Sequence, residues 1–390
     1  MNKNILLIRL ENSNLGDSII ADTCEYIIKD TNKDVDVTRI HLFPPKQIMK
    51  KFKHYPFVGF QFLISVLKRM KIYLIKYNCL RWQAFIKNNS EAYNYYYLPI
   101  KNADKVIIAG GGLIKYSRED LWNAIHTISE ICEMEEKPLY INAAGIEGYD
   151  EKNYRCKVLR EALSRENVLV TTRDDLETLK KYLKDPPKAN LVGDPALYSA
   201  ATYQIKAEKE SNCIGIGIIR GKIYTDYGLD FKEQNIINCY VNLIKLLEKR
   251  GQKWQIFCNG NEADYNLALK VLEKLGLTAQ EKYIATKPTT PRELLEIVSK
   301  YKAIIAARLH ANIIATSLGV PSVGLVWNDK LKLFGKLIGC ENRFIEKENF
   351  IKPEYVIEQL EEAIQNGYDE NKIKSLKDAT KCCLDEFLKK

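Results

Sequence analysis

Short, unbroken apolar runs recur along this chain with helical patterns between them, and that alternation limits its fold more than any other feature. Ile5-Leu6-Leu7-Ile8, Val106-Ile107-Ile108-Ala109 and Ala303-Ile304-Ile305-Ala306 lack the apolar–polar alternation of a strand with one wet face. A strand that is apolar on both faces belongs in a parallel sheet covered by helices on each side. In the first half, strands are expected over 5–8, up to about Phe43, and over 106–109, 139–143, 168–171 and 190–192. Helical periodicity marks a helix from Ser18 and others over 119–133, 151–163 and 174–183. After a polar stretch at 203–212 the alternation restarts, with strands over 214–219, 254–257, 283–285, 303–306 and 322–326. Helices fit over 231–249, 263–275, 292–300, 311–318 and 330–338, and two more in the tail.

At 390 residues the chain exceeds one ordinary core. The expectation is an α/β protein of two Rossmann-like, doubly wound domains, residues 1–203 and 204–352, with C-terminal helices over 353–390. Two such domains facing each other would place a cleft at the carboxyl ends of both sheets, where doubly wound folds bind ligands.

Composition narrows the class. With 46% apolar and 28% charged residues, the chain reads as soluble and globular. No apolar stretch of about 18 residues is free of charges, and the N-terminus lacks a signal-peptide pattern. Ten cysteines without a Cys-x-x-Cys pair fit small apolar core residues in a reducing, cytoplasmic setting. The net charge of +9 is local: residues 44–98 hold ten Lys or Arg against Glu91 alone, ten minus one, which leaves 49 basic against 49 acidic residues elsewhere. A single basic segment points to a local anionic surface rather than to nucleic acid. Its aromatics and aliphatics (Phe57, Phe60, Phe62, Ile72, Tyr73 and Phe85 among them) suit a basic amphipathic helix at an anionic membrane interface. They equally suit an insertion whose apolar face packs on the first domain.

The residues most able to do chemistry follow the strand 303–306. Arg308-Leu309-His310 stands where that strand ends and a helix begins. A helix start offers free N–H groups to an anion, arginine adds a planar fork, and histidine carries a proton near neutral pH. The competing reading is a half-buried histidine and an arginine paired with a carboxylate. Lys330, after the next strand, is a further cation at the same edge, or a solvated surface lysine. Four histidines lie far apart with no ligand spacing, so no metal site is expected. Gly110-Gly111-Gly112 lets backbone approach a ligand but lacks the dinucleotide spacing, so NAD is not expected.

The run Arg308-Leu309-His310-Ala311, then Gly319-Val320-Pro321, then Lys330 resembles the signature of the polysaccharide pyruvyltransferase family. Asn14-Leu15-Gly16-Asp17, Gly110-Gly111-Gly112, Ala144-Gly145-Ile146, Thr172-Arg173-Asp174 and Gly193-Asp194-Pro195-Ala196 are similar to further family elements, in order, over residues 4–344. The resemblance implies a GT-B-like fold and a reaction that joins phosphoenolpyruvate to a sugar diol as a cyclic ketal. It implies His310 as general acid and Arg308, Leu309, His310, Arg173 and Lys330 around phosphoenolpyruvate, the donor substrate, with no cofactor. On the acceptor side it implies Asn14, Gly16, Asp17, Gly111, Gly112 and Glu147, with Asp17 as base or as a mere helix N-cap. Asp194 is a further candidate to line the cleft. The acceptor is expected to be a sugar, carried on a polyprenyl diphosphate lipid at the inner face of the membrane. One departure is Trp327, where the family usually has tyrosine, and it bears on acceptor fit. A nucleotide-sugar glycosyltransferase of the same fold and a non-catalytic sugar- or lipid-binding protein are the competing functions.

Overall fold

The computed structural model describes residues 3–10, 14–53, 81–186 and 189–389. The chain divides into two compact units. Unit 1 comprises Met1–Glu11, Glu25–Gly193 and Thr380–Lys390, and unit 2 comprises Asn12–Cys24 and Asp194–Ala379. This partition differs from boundaries at 203 and 352, since residues 194–203 and 353–379 fall in unit 2. The start of the first helix (Leu15–Thr31) belongs to unit 2, and the end of the last helix (Glu370–Lys389) belongs to unit 1.

Unit 1 carries strands β1 (Lys3–Arg9), β2 (Val35–His41), β3 (Lys105–Ile108), β4 (Gly111–Lys115), β5 (Leu139–Glu147), β6 (Val168–Thr172) and β7 (Asn190–Leu191). They form one parallel sheet in the order β2-β1-β3-β5-β6-β7, with β4 also paired to β5. Alternate side chains face opposite ways. Leu6, Ile8, Val106 and Ile108 enter one buried cluster with the helix Glu119–Met134. On the neighbouring strand Tyr140 meets Phe387 of the last helix, with ring centroids 5.3 Å apart. Lys105 Nζ donates to the carbonyls of Phe387 (2.5 Å) and Leu388 (3.1 Å), so a cation sits at the negative end of that helix.

Unit 2 carries β8 (Cys213–Gly217), β9 (Lys253–Phe257), β10 (Ala303–Ala306), β11 (Ser322–Leu325) and β12 (Phe344–Ile345), all parallel, in the order β12-β11-β10-β8-β9. Its two faces are both dry. Ile214, Ile216, Ile305 and Val323 pack with the helices Glu233–Lys249 and Pro353–Asn366. Phe257, Ile304 and Ala306 pack with the helices Pro291–Ser299 and Leu309–Leu318, and with Ile19 and Ile20 from the first helix.

Three local expectations change. Residues 283–285 make one isolated bridge, Ile256 to Ile284, instead of a strand. Gly111 and Gly112 open a strand, β4, that was not expected. The first helix begins at Leu15, not Ser18.

In the basic segment, residues 54–80, including Phe57, Phe60, Phe62, Ile72 and Tyr73, lie outside the described residues. On its described part, Lys46, Lys50, Lys51 and Lys53 are exposed while Ile48 is buried. Trp82 and Phe85 are buried in the unit 1 core, and the Phe52 ring packs on both. Those aromatics follow the inward-packing alternative. Among the described residues no helix is long and apolar enough to cross a membrane.

Candidate active site

In unit 2 the strand order reverses between β8 and β10, because β8 is followed by β9 on one side and by β10 on the other. Such a switch point leaves a crevice beyond the carboxyl ends of the two strands. Arg308-Leu309-His310 emerges there, Arg308 being the N-cap of the helix Leu309–Leu318 without a side-chain capping bond. The helix is fastened otherwise. Asn312 Nδ2 donates to the carbonyls of Ala306 and Arg308, both at 3.0 Å. Trp327 Nε1, beyond β11, donates to the carbonyl of Ala307 at 2.6 Å, and the Trp327 ring meets Tyr227 edge-on at 4.9 Å.

His310 is 8% exposed and lies against the Asn14–Asp17 turn. A Cβ placed on Gly16 would overlap the imidazole, so only glycine allows this approach. Asn14 shapes the turn: its Oδ1 accepts from the Gly16 N–H (3.3 Å) and its carbonyl from the Asp17 N–H (3.3 Å). Since the helix starts at Leu15, Asp17 falls within its first turn and is not its N-cap, although an acid there still suits the helix dipole. Leu15 fills the space over Gly260, past β9. The turn expected on the first domain thus packs in the second unit, beside His310.

Arg308 is the residue whose surroundings differ most from a free anion clamp. Its Nε and Nη2 donate to Asp264 Oδ2 (2.8 Å) and Oδ1 (2.7 Å), a bidentate pair. The Asp264 side chain is fully buried, and its Oδ1 also accepts from the Arg220 N–H past β8 at 2.8 Å. Breaking such a buried pair by removing one partner costs about 3–5 kcal/mol. Sequence reading missed Asp264. In the first turn of the helix Glu262–Lys274, beside Glu262, it reads as an ordinary dipole-matching acid. Leu309 is half-buried against the core. Lys330, also half-buried, is the second residue of the helix Asp329–Ile338, beyond the carboxyl end of β11. Asp194 caps the short helix Pro195–Tyr198, accepting from the Ala196 N–H at 2.8 Å.

The carboxyl edge of unit 1 gathers the remaining motif residues. Gly110 and Gly111 take φ of 115° and 101°, values that suit glycine, and let the chain leave β3 and start β4 within two residues. In β5 the ladder to β6 is irregular between Ile141 and Ala144, and Ala143 has φ 46°. Its N–H is held by Thr171 Oγ1 at 2.9 Å. Asp174 is absorbed by this backbone, accepting from the N–H groups of Ile146 (3.0 Å) and Asp175 (2.7 Å) and from Thr172 Oγ1 (3.0 Å). A Cβ on Gly145 would stand 3.1 Å from the Gly111 carbonyl and 3.4 Å from Arg173 Nη2, so glycines 111 and 145 and Arg173 are neighbours. Arg173 is buried, and Glu147 is ion-paired to Lys115.

The expected site residues therefore fall into two groups. Asn14, Gly16, Asp17, Arg308, Leu309, His310 and Lys330 are in unit 2, and Gly111, Gly112, Glu147 and Arg173 are in unit 1. Buried thiols are poor nucleophile candidates: burial pushes Cys132 up to about 12 and Cys258 to about 11.

A family model described as polysaccharide pyruvyl transferase matches residues 14–329. A comparison with curated protein sequences gives no match. Among solved structures, the chain is similar to UDP-GlcNAc 2-epimerase from Methanocaldococcus jannaschii, at TM-score 0.60 and 13% identity, covering 100% of each chain. UDP-GlcNAc 2-epimerase from Neisseria meningitidis bound to UDP-GlcNAc is similar at TM-score 0.56 and 12% identity, covering 99% of this chain and 100% of that one. At such identities the likeness speaks for the fold: two parallel-sheet α/β units of the GT-B type with a helical C-terminus.

Proposed function

The chain belongs to the polysaccharide pyruvyl transferase family, and we propose that it transfers the pyruvyl unit of phosphoenolpyruvate to two hydroxyls of a sugar. His310 gives its proton to the methylene carbon of the donor, turning it into a methyl group and leaving the adjacent carbon electron-poor. A sugar hydroxyl adds to that carbon and loses its proton, the C–O bond to phosphate breaks, and the second hydroxyl closes the ketal. Of the two protons released from the sugar, one restores His310 and the other leaves with hydrogen phosphate. A positioned general acid contributes about 10²–10⁴-fold. Lys330 and the N–H groups at the start of the helix Leu309–Leu318 attract the donor's phosphate and carboxylate, and Arg308 adds a cationic contact. Asp17, in the turn beside His310, takes the proton of an acceptor hydroxyl.

The observation that carries this reading is the packing of the Asn14–Asp17 turn onto His310 beyond the carboxyl end of β10. It puts a turn that carries Asp17 beside a proton donor at the switch point of one sheet. The acceptor is read as a lipid-linked sugar, and the exposed Lys46, Lys50, Lys51 and Lys53 would favour an anionic membrane surface. Release of inorganic phosphate from phosphoenolpyruvate, dependent on a lipid-linked or nitrophenyl sugar, is the test. Turnover of a UDP-sugar instead, with no phosphate release, would replace this reading by a glycosyltransferase. Binding of sugar without turnover of either donor would point to a non-catalytic protein. Sedimentation with anionic vesicles at low salt tests the membrane part separately, and absence of association there removes it.

A further inference from the structure

Arginine beside a developing anion is useful only if its fork is held in one orientation. In unit 2 that hold comes from a residue outside every motif recognised above. Asp264 stands at the switch point and ties its two sides together. It accepts from the Arg220 N–H past β8 and from Nε and Nη2 of Arg308 past β10. Its side chain has no solvent exposure, and that of Arg308 is 16% exposed. A carboxylate so buried cannot turn to water, and its two oxygens take up the whole Nε–Nη2 edge of the guanidinium.

We propose that Asp264 is the positioning residue for Arg308 in pyruvyl transfer, a role that rests on the function proposed above. Two consequences follow from the geometry. Arg308 meets the anionic donor through its end-on Nη1–Nη2 edge, because its side-on Nε–Nη2 edge is occupied. The Asp264–Arg308 pair is also neutral as a unit, so Arg308 brings orientation rather than net positive charge to the donor. Orientation and attraction can thus be separated experimentally.

Asp264→Asn is the variant that distinguishes them, since it raises the local charge by one while loosening the fork. If Asp264 served only to balance charge, this variant would bind phosphoenolpyruvate more tightly and keep its kcat. The positioning role predicts that kcat/KM for phosphoenolpyruvate falls about 10²-fold, with a fall in kcat, as misplacement of a contact group does. It also predicts non-additivity. In an Arg308→Gln background, Asp264→Asn should change kcat/KM by no more than about twofold, the scatter expected where one residue acts only through the other. A merely structural acid would lower the melting temperature and cost the same factor in both backgrounds. The double variant removes both buried charges and so avoids an orphaned ion. If Asp264→Asn alone does not fold, Asp264→Glu keeps the charge and displaces it by one methylene, with the same kinetic expectation. Wild-type kcat in Asp264→Asn, or additive losses, would overturn the proposal while leaving the pyruvyl-transfer reading standing. No phosphate release by the wild-type protein would overturn that reading and this role with it.

Discussion

The carboxyl edges of the two sheets hold the same kinds of residue, an arginine, an acid and glycines, yet they are built differently. In unit 1 the acid is given to the backbone: Asp174 accepts from the Ile146 and Asp175 N–H groups and stabilises the turn that carries Arg173. In unit 2 the acid is given to the arginine, Asp264 holding both Nε and Nη2 of Arg308. The glycines differ likewise. Gly110 and Gly111 supply backbone angles, whereas Gly16 supplies room for an imidazole. Unit 1 therefore presents an edge shaped by main chain. The edge of unit 2 is shaped by side chains whose charge and proton state matter.

If that contrast is right, His310→Ala has the largest effect. It should lower kcat by about 10²–10⁴-fold with little change in melting temperature, as loss of a general acid does. Normal kcat with lost phosphoenolpyruvate binding would make His310 a ligand rather than an acid. Next comes Gly16→Ala, whose methyl group must displace the imidazole or the turn. A displacement of about 1 Å predicts roughly a 10²-fold loss in kcat, measurable as phosphate release. An active Gly16→Ala protein would mean that the turn and His310 do not work together.

In unit 1, Asp174→Ala should act on stability first. It strips partners from N–H groups at the β5 and β6 edge and should cost about 1–3 kcal/mol in urea unfolding. A kinetic loss with unchanged stability would erase the distinction between the two edges. The smallest effect belongs to Glu25, which binds Arg39 and Lys29 away from both edges. Burial alone would raise its pKa, but the hydrogen bonds from Arg39 and Lys29 outweigh it and hold the carboxyl below its ordinary value of 4.5. A depressed carboxyl stabilises the fold above its unfolded value and loses that contribution as pH falls through the folded value. Glu25→Gln should thus cost less than about 1 kcal/mol at neutral pH, because Arg39 is largely solvated. The difference from wild type should vanish in urea titrations well below pH 4.5. A constant difference down to acid pH would assign the effect to packing instead.

Much of the scaffold could be read without coordinates because parallel strands buried on both faces leave continuous apolar runs. Residues 106–109 and 303–306 were expected as strands and appear as Lys105–Ile108 and Ala303–Ala306. Where a strand carries no continuous apolar run, reading failed: β4, Gly111–Lys115, and the two-residue β12, Phe344–Ile345, were not expected, and 283–285 reduced to a single bridge. The described part of the basic segment was ambiguous for a related reason. Trp82 and Phe85 carry the same apolar pattern whether they meet lipid or protein, and here they are in the unit 1 core.

The sequence by itself determined the two parallel sheets, the placing of Arg308-Leu309-His310 at a strand end, and the order of the family motifs. Each of these depends on residues close together in the chain. Only the tertiary structure decided that the Asn14–Asp17 turn packs beside His310 in unit 2 and that Arg308 is committed to Asp264, 44 residues away. Such pairings depend on which strand ends a sheet brings side by side, and a local pattern of residue types carries no record of that.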